Sequence, residues 1–225
     1  MAVLETHIFK AHNNIYIEQP EENYRTREIR TEMVFPDCVN ENTGMLVLIP
    51  GYGGNIDSHV FRKMREVFAE QYNFITVQCD YFGNRFMDSN EPEEMRLIAD
   101  MKNIINAEIC YKMNGFESED EFNDMGLMQA LDIVSTTICA IYEIINKGYV
   151  FNTNRIVLFG TSHGSYLAHL ANVICPTLYT GLLDVSSYIV PYYLTHYRNL
   201  TIKTDKITWT TIYAVSYTHL TLPTK

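Results

Sequence analysis

Residues 155–168 read RIVLFGTSHGSYLA, an apolar run followed by the pattern G-x-S-x-G and then by apolar residues at helical spacing. This order predicts a buried strand, a sharp turn and a helix. A serine at such a turn, flanked here by Gly160 and Gly164, is the arrangement of a nucleophile elbow, which lifts the hydroxyl clear of the backbone. We therefore predict that Ser162 is a nucleophile. The alternative is an ordinary strand-to-helix turn whose glycines serve packing only.

Other apolar runs predict the sheet around this turn. Residues 45–49 and 74–77 are almost continuously apolar, as in central parallel strands that are covered on both faces. Residues 57–72, between them, have apolar side chains at helical spacing and complete a strand–helix–strand unit. Residues 15–18 and Glu28–Phe35 alternate apolar and polar side chains, which predicts half-buried antiparallel strands at the sheet edge.

The alternation continues toward the C-terminus. A long helix is predicted over residues 121–147 and ended by Gly148, and a further strand over residues 181–184. The order predicts one α/β domain, a doubly wound and mostly parallel sheet with helices on both faces. Residues 81–115 interrupt this order and are expected to line or cover the site. They include Arg85, which either meets an anionic substrate or forms a structural ion pair.

The loop after the first central strand, residues 50–54, reads PGYGG. Acyl transfer needs donors for the developing oxyanion, and a loop at this place can supply one. We predict the backbone N–H groups of Tyr52 and His163 as the donors, with Gly51 and Gly53 shaping the loop. A glycine turn without this role is the alternative. The sequence matches neither a P-loop nor a dinucleotide fingerprint, so no cofactor is predicted.

Asp184 is the best candidate for a triad acid, because it ends a predicted strand at the edge where catalytic groups gather. Capping of the following residues is the alternative, since the acid more often comes one strand later. His163 should point away from the serine, and His169 should be packed or capping. His196 follows Asp184 too closely for the strands that usually precede the base. We expect the base histidine in a missing C-terminal part.

The last residues, 215–224, read VSYTHLTLPT and resemble a translated sequencing adapter. A translated adapter is not part of the natural protein. We therefore expect a single, incomplete domain over residues 1–213 and a non-native tail over residues 214–225. His219 is accordingly not a catalytic candidate.

Composition limits the partners. The chain has 17 Lys plus Arg against 27 Asp plus Glu, a net charge of −10, which repels nucleic acid and anionic membranes. The sequence has neither an evident signal peptide nor an apolar run long enough for a bilayer, so a cytoplasmic location is expected. The five cysteines are scattered, and no metal site is predicted.

The strand, the glycine-rich loop, the elbow and the helix resemble the α/β-hydrolase superfamily over roughly residues 15–213. Residues 80–85, 123–132, 160–170 and 184–188 look more closely like an uncharacterised bacterial family known only as a domain of unknown function. This resemblance implies a bacterial hydrolase-like protein associated with surface-glycan or flagellar-modification genes. It supplies no substrate, and it implies one or two further strand–helix units.

Three functions are compatible with these residues. The first is a serine hydrolase, an esterase or deacylase acting on a small-molecule or glycan-linked acyl substrate. Without its base, such an enzyme should have negligible turnover as the chain stands. The second is a non-catalytic binding or scaffold protein with the same fold. The third is an acyltransferase that uses the same site, and the residue types do not determine the oligomeric state.

Overall fold

The computed structural model describes residues 2–16, 27–84, 124 and 126–187, together with the backbone of three further strands. The strands of the main sheet are β1 (Val3–Lys10), β2 (Glu28–Phe35), β3 (Gly44–Ile49), β4 (Phe74–Cys79), β6 (Ile156–Thr161) and β7 (Gly181–Val185). A three-stranded sheet contains β5 (Ile109–Gly115), β8 (Asn199–Lys203) and β9 (Ile207–Tyr213). The helices among the described residues are α1 (His59–Tyr72), α2 (Leu127–Asn146) and α3 (His163–Ile174).

The main sheet has the strand order β1-β2-β4-β3-β6-β7. β3 pairs in parallel with β4 and β6, and β6 pairs in parallel with β7, whereas β2 is antiparallel to both of its neighbours. The predicted doubly wound, mostly parallel α/β fold is confirmed. The carboxyl ends of β3, β4, β6 and β7 lie at one edge of the sheet, because these four strands are parallel.

Helices cover both faces of the sheet, and β3 accordingly has apolar side chains on both of its sides. Met45, Val47 and Ile49 belong to the large cluster that includes α2 and α3. Leu46 and Leu48 pack on the opposite face, with Phe61 of α1. Alternate residues of a strand point to opposite faces, so a continuous apolar run is what a two-sided core requires.

One edge strand is not where the sequence pattern placed it. The outer strand is Val3–Lys10, whereas Ile15 and Tyr16 lie in a turn. The backbone N–H of Tyr16 donates to Asn14 Oδ1 at 3.0 Å, an Asx-type contact that favours a turn. The prediction of a strand at residues 15–18 was wrong for these two residues, because a local side-chain contact overrides the short alternating pattern.

Helix α2 begins later than its apolar spacing suggested, at Leu127. The Asp124 carboxylate accepts the backbone N–H groups of Gly126, at 3.0 Å, and of Met128, and therefore caps this helix. The helix ends at Asn146, before Gly148 with φ 78°, as predicted. Among the described residues α2 is the one helix long and apolar enough to cross a membrane, but over half of it is buried against the rest of the protein.

Candidate active site

Ser162 is the single residue between the end of β6 at Thr161 and the start of α3 at His163. Its backbone has φ 53° and ψ −119°, a conformation that residues with a side chain rarely adopt. The Ser162 N–H donates to Val185 O at 2.8 Å, and its carbonyl accepts the N–H of Ser165 at 3.0 Å. The backbone is therefore strained at the residue where an elbow needs the strain.

The two glycines of the motif lie where any side chain would collide with backbone. A Cβ on Gly160 would come within 2.4 Å of Ser165 Cα. A Cβ on Gly164 would come within 2.1 Å of Ile49 O and 2.5 Å of Pro50 O. The first turn of α3 therefore packs directly on the end of β3, and this close approach is what holds the elbow against the neighbouring loop.

The fold brings the predicted oxyanion loop next to the elbow. A Cβ on Gly51 would be 3.1 Å from Ser162 Cβ and 3.7 Å from Ser162 Oγ. The N–H of Gly51 donates to Thr161 Oγ1 at 3.1 Å, and Gly54 N–H donates to Gly51 O at 2.9 Å. The second bond closes a turn around residues 52 and 53, and Gly53 has φ 77°. The roles of the Tyr52 and His163 N–H groups stay predictions.

The His163 side chain is turned toward the protein interior. It is 2 % exposed, and its Nε2 lies 2.8 Å from Gln129 Oε1 of α2. Because an amide oxygen only accepts, Nε2 is the donor of this bond. Burial lowers the pKa of His163 to about 4, so the ring is neutral at pH 7. Nothing in the sequence around Gln129 indicates its contact with His163.

Asp184 contacts a histidine, but one that lies away from the elbow. Its Oδ2 is 2.9 Å from His169 Nε2, and its Oδ1 accepts the N–H of Ser187 at 2.9 Å. The hydrogen bond from His169 lowers the pKa of Asp184. His169 lies seven residues after Ser162 on α3, which is about 10 Å along the helix axis. These contacts favour the capping alternative, and the acid role of Asp184 stays a prediction.

Replacing Asp184 with asparagine separates the two roles. We expect Asp184→Asn to leave the rate at which an active-site probe labels Ser162 essentially unchanged, because the carboxylate is bonded to His169 and to the backbone. Loss of a true triad acid costs about 10⁴-fold in rate. A fall of that size in labelling of a protein with unchanged thermal stability would establish Asp184 as the acid.

Several sequence predictions fall outside the described residues: Arg85, His196, most of residues 81–115, and the tail. Within the described part of the chain there is no group of three or more His, Cys, Asp or Glu side chains suited to a metal ion. The described cysteines, Cys38, Cys79, Cys139 and Cys175, are free thiols.

Solved structures share this architecture. The esterase Est22 superposes with a TM-score of 0.52 at 16% identity, over 84% of this chain and 44% of its own. A carboxyl esterase from Bacillus coagulans has a TM-score of 0.46 at 14% identity, over 80% of this chain and 43% of its own. The chain thus spans less than half the length of these two proteins. The likeness to Est22 shows the α/β-hydrolase fold, as the motifs implied.

No curated protein matches the sequence. A family profile does: the family described as "Protein of unknown function (DUF2920)" matches residues 87–199, which include β6, the elbow and α3. This match covers half of the chain and agrees with the resemblance noted above to a family of unknown function. The chain therefore belongs to the DUF2920 family.

Proposed function

We propose that the protein is a serine hydrolase in which Ser162 attacks the carbonyl carbon of an ester, thioester or amide. The observation that carries this proposal is the strained backbone of Ser162, at φ 53°, between a parallel strand and a helix. Proteins retain such strain where it serves a function, since each strained residue costs about 1–3 kcal/mol. Est22, whose solved structure shares this fold, is an esterase, which supports the proposal.

The surroundings of Ser162 suit acyl chemistry. As Oγ bonds to the carbonyl carbon, negative charge develops on the carbonyl oxygen. The N-terminus of α3 carries partial positive charge beside Ser162, and the loop at Gly51 approaches from the other side. In the proposed site the N–H groups of Tyr52 and His163 hold this oxyanion. Collapse of the intermediate expels the leaving group, and water then releases the acyl group.

The general base is assigned in this proposal to a histidine outside the described residues. His163 Nε2 is bonded to Gln129, and His169 Nε2 is bonded to Asp184. Both rings are therefore engaged in other contacts, and His169 is too far along α3 to take a proton from Ser162. Without its base, a serine hydrolase loses orders of magnitude in turnover.

The substrate class and the location are also proposals. A net charge of −10 disfavours nucleic acid and anionic membrane surfaces. The family resemblance implies an association with surface-glycan genes, and on that ground the proposed substrate is a small-molecule or glycan-linked acyl compound. A cytoplasmic location is proposed with it.

The test is labelling by a fluorophosphonate, which forms a covalent bond with an activated serine. The protein is produced from its gene as amplified from genomic DNA. We expect one modified residue, mapped by mass spectrometry to the peptide that contains Ser162, and loss of labelling after heat denaturation. A folded protein that the probe leaves unmodified would instead favour a binding protein.

A further inference from the structure

We propose that Tyr81 and Asn84, in the segment that follows β4, are positioning residues for the loop of residues 50–56. Their hydrogen bonds to loop carbonyls would set the rate at which Ser162 is acylated. This inference rests on the proposed hydrolase function and deepens it, because it assigns the control of the oxyanion donors to side chains outside the loop.

Both side chains are buried and reach the loop backbone. Tyr81 is 2 % exposed, and its hydroxyl donates to Pro50 O at 3.0 Å. Burial raises the pKa of this phenol, so it stays protonated and can donate. Asn84 is 5 % exposed, and its Nδ2 donates to Gly54 O at 2.9 Å. The two bonded carbonyls flank residues 51–53.

A chain of hydrogen bonds connects Asn84 to the predicted oxyanion donor. Asn84 holds the Gly54 carbonyl, and the Gly54 N–H donates to Gly51 O at 2.9 Å. The Gly51 carbonyl and the Tyr52 N–H belong to the same planar peptide group, so fixing the one orients the other. The position of Gly54 therefore determines where the Tyr52 N–H points.

Tyr81 acts in the same way on the preceding peptide group. It holds the Pro50 carbonyl, while the N–H of Gly51 in that plane donates to Thr161 Oγ1 at 3.1 Å. This peptide is thus held at both ends, by β6 on one side and by the segment after β4 on the other. Because this peptide group is fixed, the next one, which carries the Tyr52 N–H, has less freedom to rotate.

The end of the loop is held by side chains of α1 and of the β4 region. Arg65 Nη2 donates to Ile56 O at 3.0 Å, and Gln78 Nε2 donates to Asn55 O at 3.3 Å. The N–H of Ile56 donates to Asp80 Oδ1 at 3.2 Å. A loop with three glycines has much backbone freedom, and these side-chain contacts restrict it to one conformation.

The experiment compares three variants of the complete protein. Tyr81→Phe and Asn84→Ala each remove one donor to the loop. Tyr179→Phe is the matched control, because this buried tyrosine loses a hydroxyl that lies 3.2 Å from Thr137 Oγ1, before the N-terminal end of β7. For each variant the rate of fluorophosphonate labelling at saturation, the probe concentration at half-saturation and the melting temperature are measured.

We expect Tyr81→Phe and Asn84→Ala to lower the saturating labelling rate by about tenfold or more, since a misplaced oxyanion donor acts on the transition state. The half-saturating concentration should change little. Tyr179→Phe should keep the wild-type labelling rate even if its melting temperature falls as far as that of Tyr81→Phe. If one of the two loop variants does not fold, the other decides.

The outcomes distinguish failure of the hydrolase function from failure of the positioning role. If wild-type protein is not labelled at Ser162, the hydrolase function fails and the positioning role falls with it. If wild-type protein is labelled and both loop variants react at the rate of Tyr179→Phe, the positioning role alone is overturned. A change confined to the half-saturating concentration would also overturn it, because that result indicates contact with the probe.

Discussion

Gly164→Ala is expected to abolish the labelling of Ser162 and to destabilise the fold by about 3 kcal/mol or more. The new Cβ would lie 2.1 Å from Ile49 O and 2.5 Å from Pro50 O. Both oxygens belong to backbone at the end of β3, a central strand of the sheet that is buried on both faces. Neither can move without displacing the strand, so α3 must tilt away from the loop, and the elbow then separates from the proposed oxyanion donors.

The chain offers a matched glycine for comparison. A Cβ on Gly181, at the start of β7, would meet nothing nearer than Val157 Cγ2 at 3.7 Å, which is ordinary van der Waals contact. Gly181→Ala should therefore leave both the free energy of unfolding and the labelling rate near their wild-type values. Unfolding in urea and fluorophosphonate labelling measure the two effects. A Gly164→Ala protein with wild-type stability and labelling would disprove the close packing of α3 on β3.

Local patterns in the sequence were enough to predict the elbow, because each of its requirements is met by neighbouring residues. The strand at residues 156–159, the two glycines and the helix after Ser162 all lie within one short stretch. The central strands were equally readable, since burial on both faces leaves a continuous apolar run. The edge strand β1 could not be predicted in this way, because it is largely exposed and its alternation of apolar and polar residues is weak.

Contacts between distant parts of the chain could not be predicted from local sequence patterns. Gln129 lies on an apolar helix, and nothing in its neighbourhood indicates a bond to His163. Asn84 and Tyr81 belong to a segment that the sequence suggested only in general terms, as lining or covering the site. Their partners in the loop are backbone carbonyls, which every residue has, so residue types alone could not predict the pairing.

The buried contacts of Arg65 were likewise not predictable from the sequence. It lies among charged residues of α1, including Arg62 and Glu66, and reads as part of a solvent-facing surface. In the folded protein it is 1% exposed. Its guanidinium forms an ion pair with Glu32 of β2 and hydrogen bonds with Gln78 of β4 and Ile56 O. One cation thus connects α1, two strands and the loop that leads to the site.

Arg65→Met is therefore expected to destabilise the protein by about 2 kcal/mol or more, because the buried Glu32 carboxylate loses its buried partner and keeps only the more exposed Arg30, at 3.0 Å. Methionine fills much of the volume, so the lost charge pairing, more than a cavity, determines the effect. The free energy of unfolding in urea measures it. Arg62→Met is the matched control on the same helix, since Arg62 is half exposed and its pair with Asp57 should contribute less than about 1 kcal/mol.

A second substitution tests whether the loss of the buried charge pairing is the cause. Replacing both partners, in the variant Arg65→Met with Glu32→Leu, removes the buried charge together with its counter-ion. Such double replacements are often close to neutral in stability, whereas breaking one side of a buried pair is not. We expect the double variant to recover most of the lost stability. Ile56 O lacks its donor in both variants, so both should label Ser162 more slowly than the wild-type protein. If the double variant is as unstable as Arg65→Met alone, the loss arises from packing or from the bonds to Gln78 and Ile56, and the ion pair is not the cause.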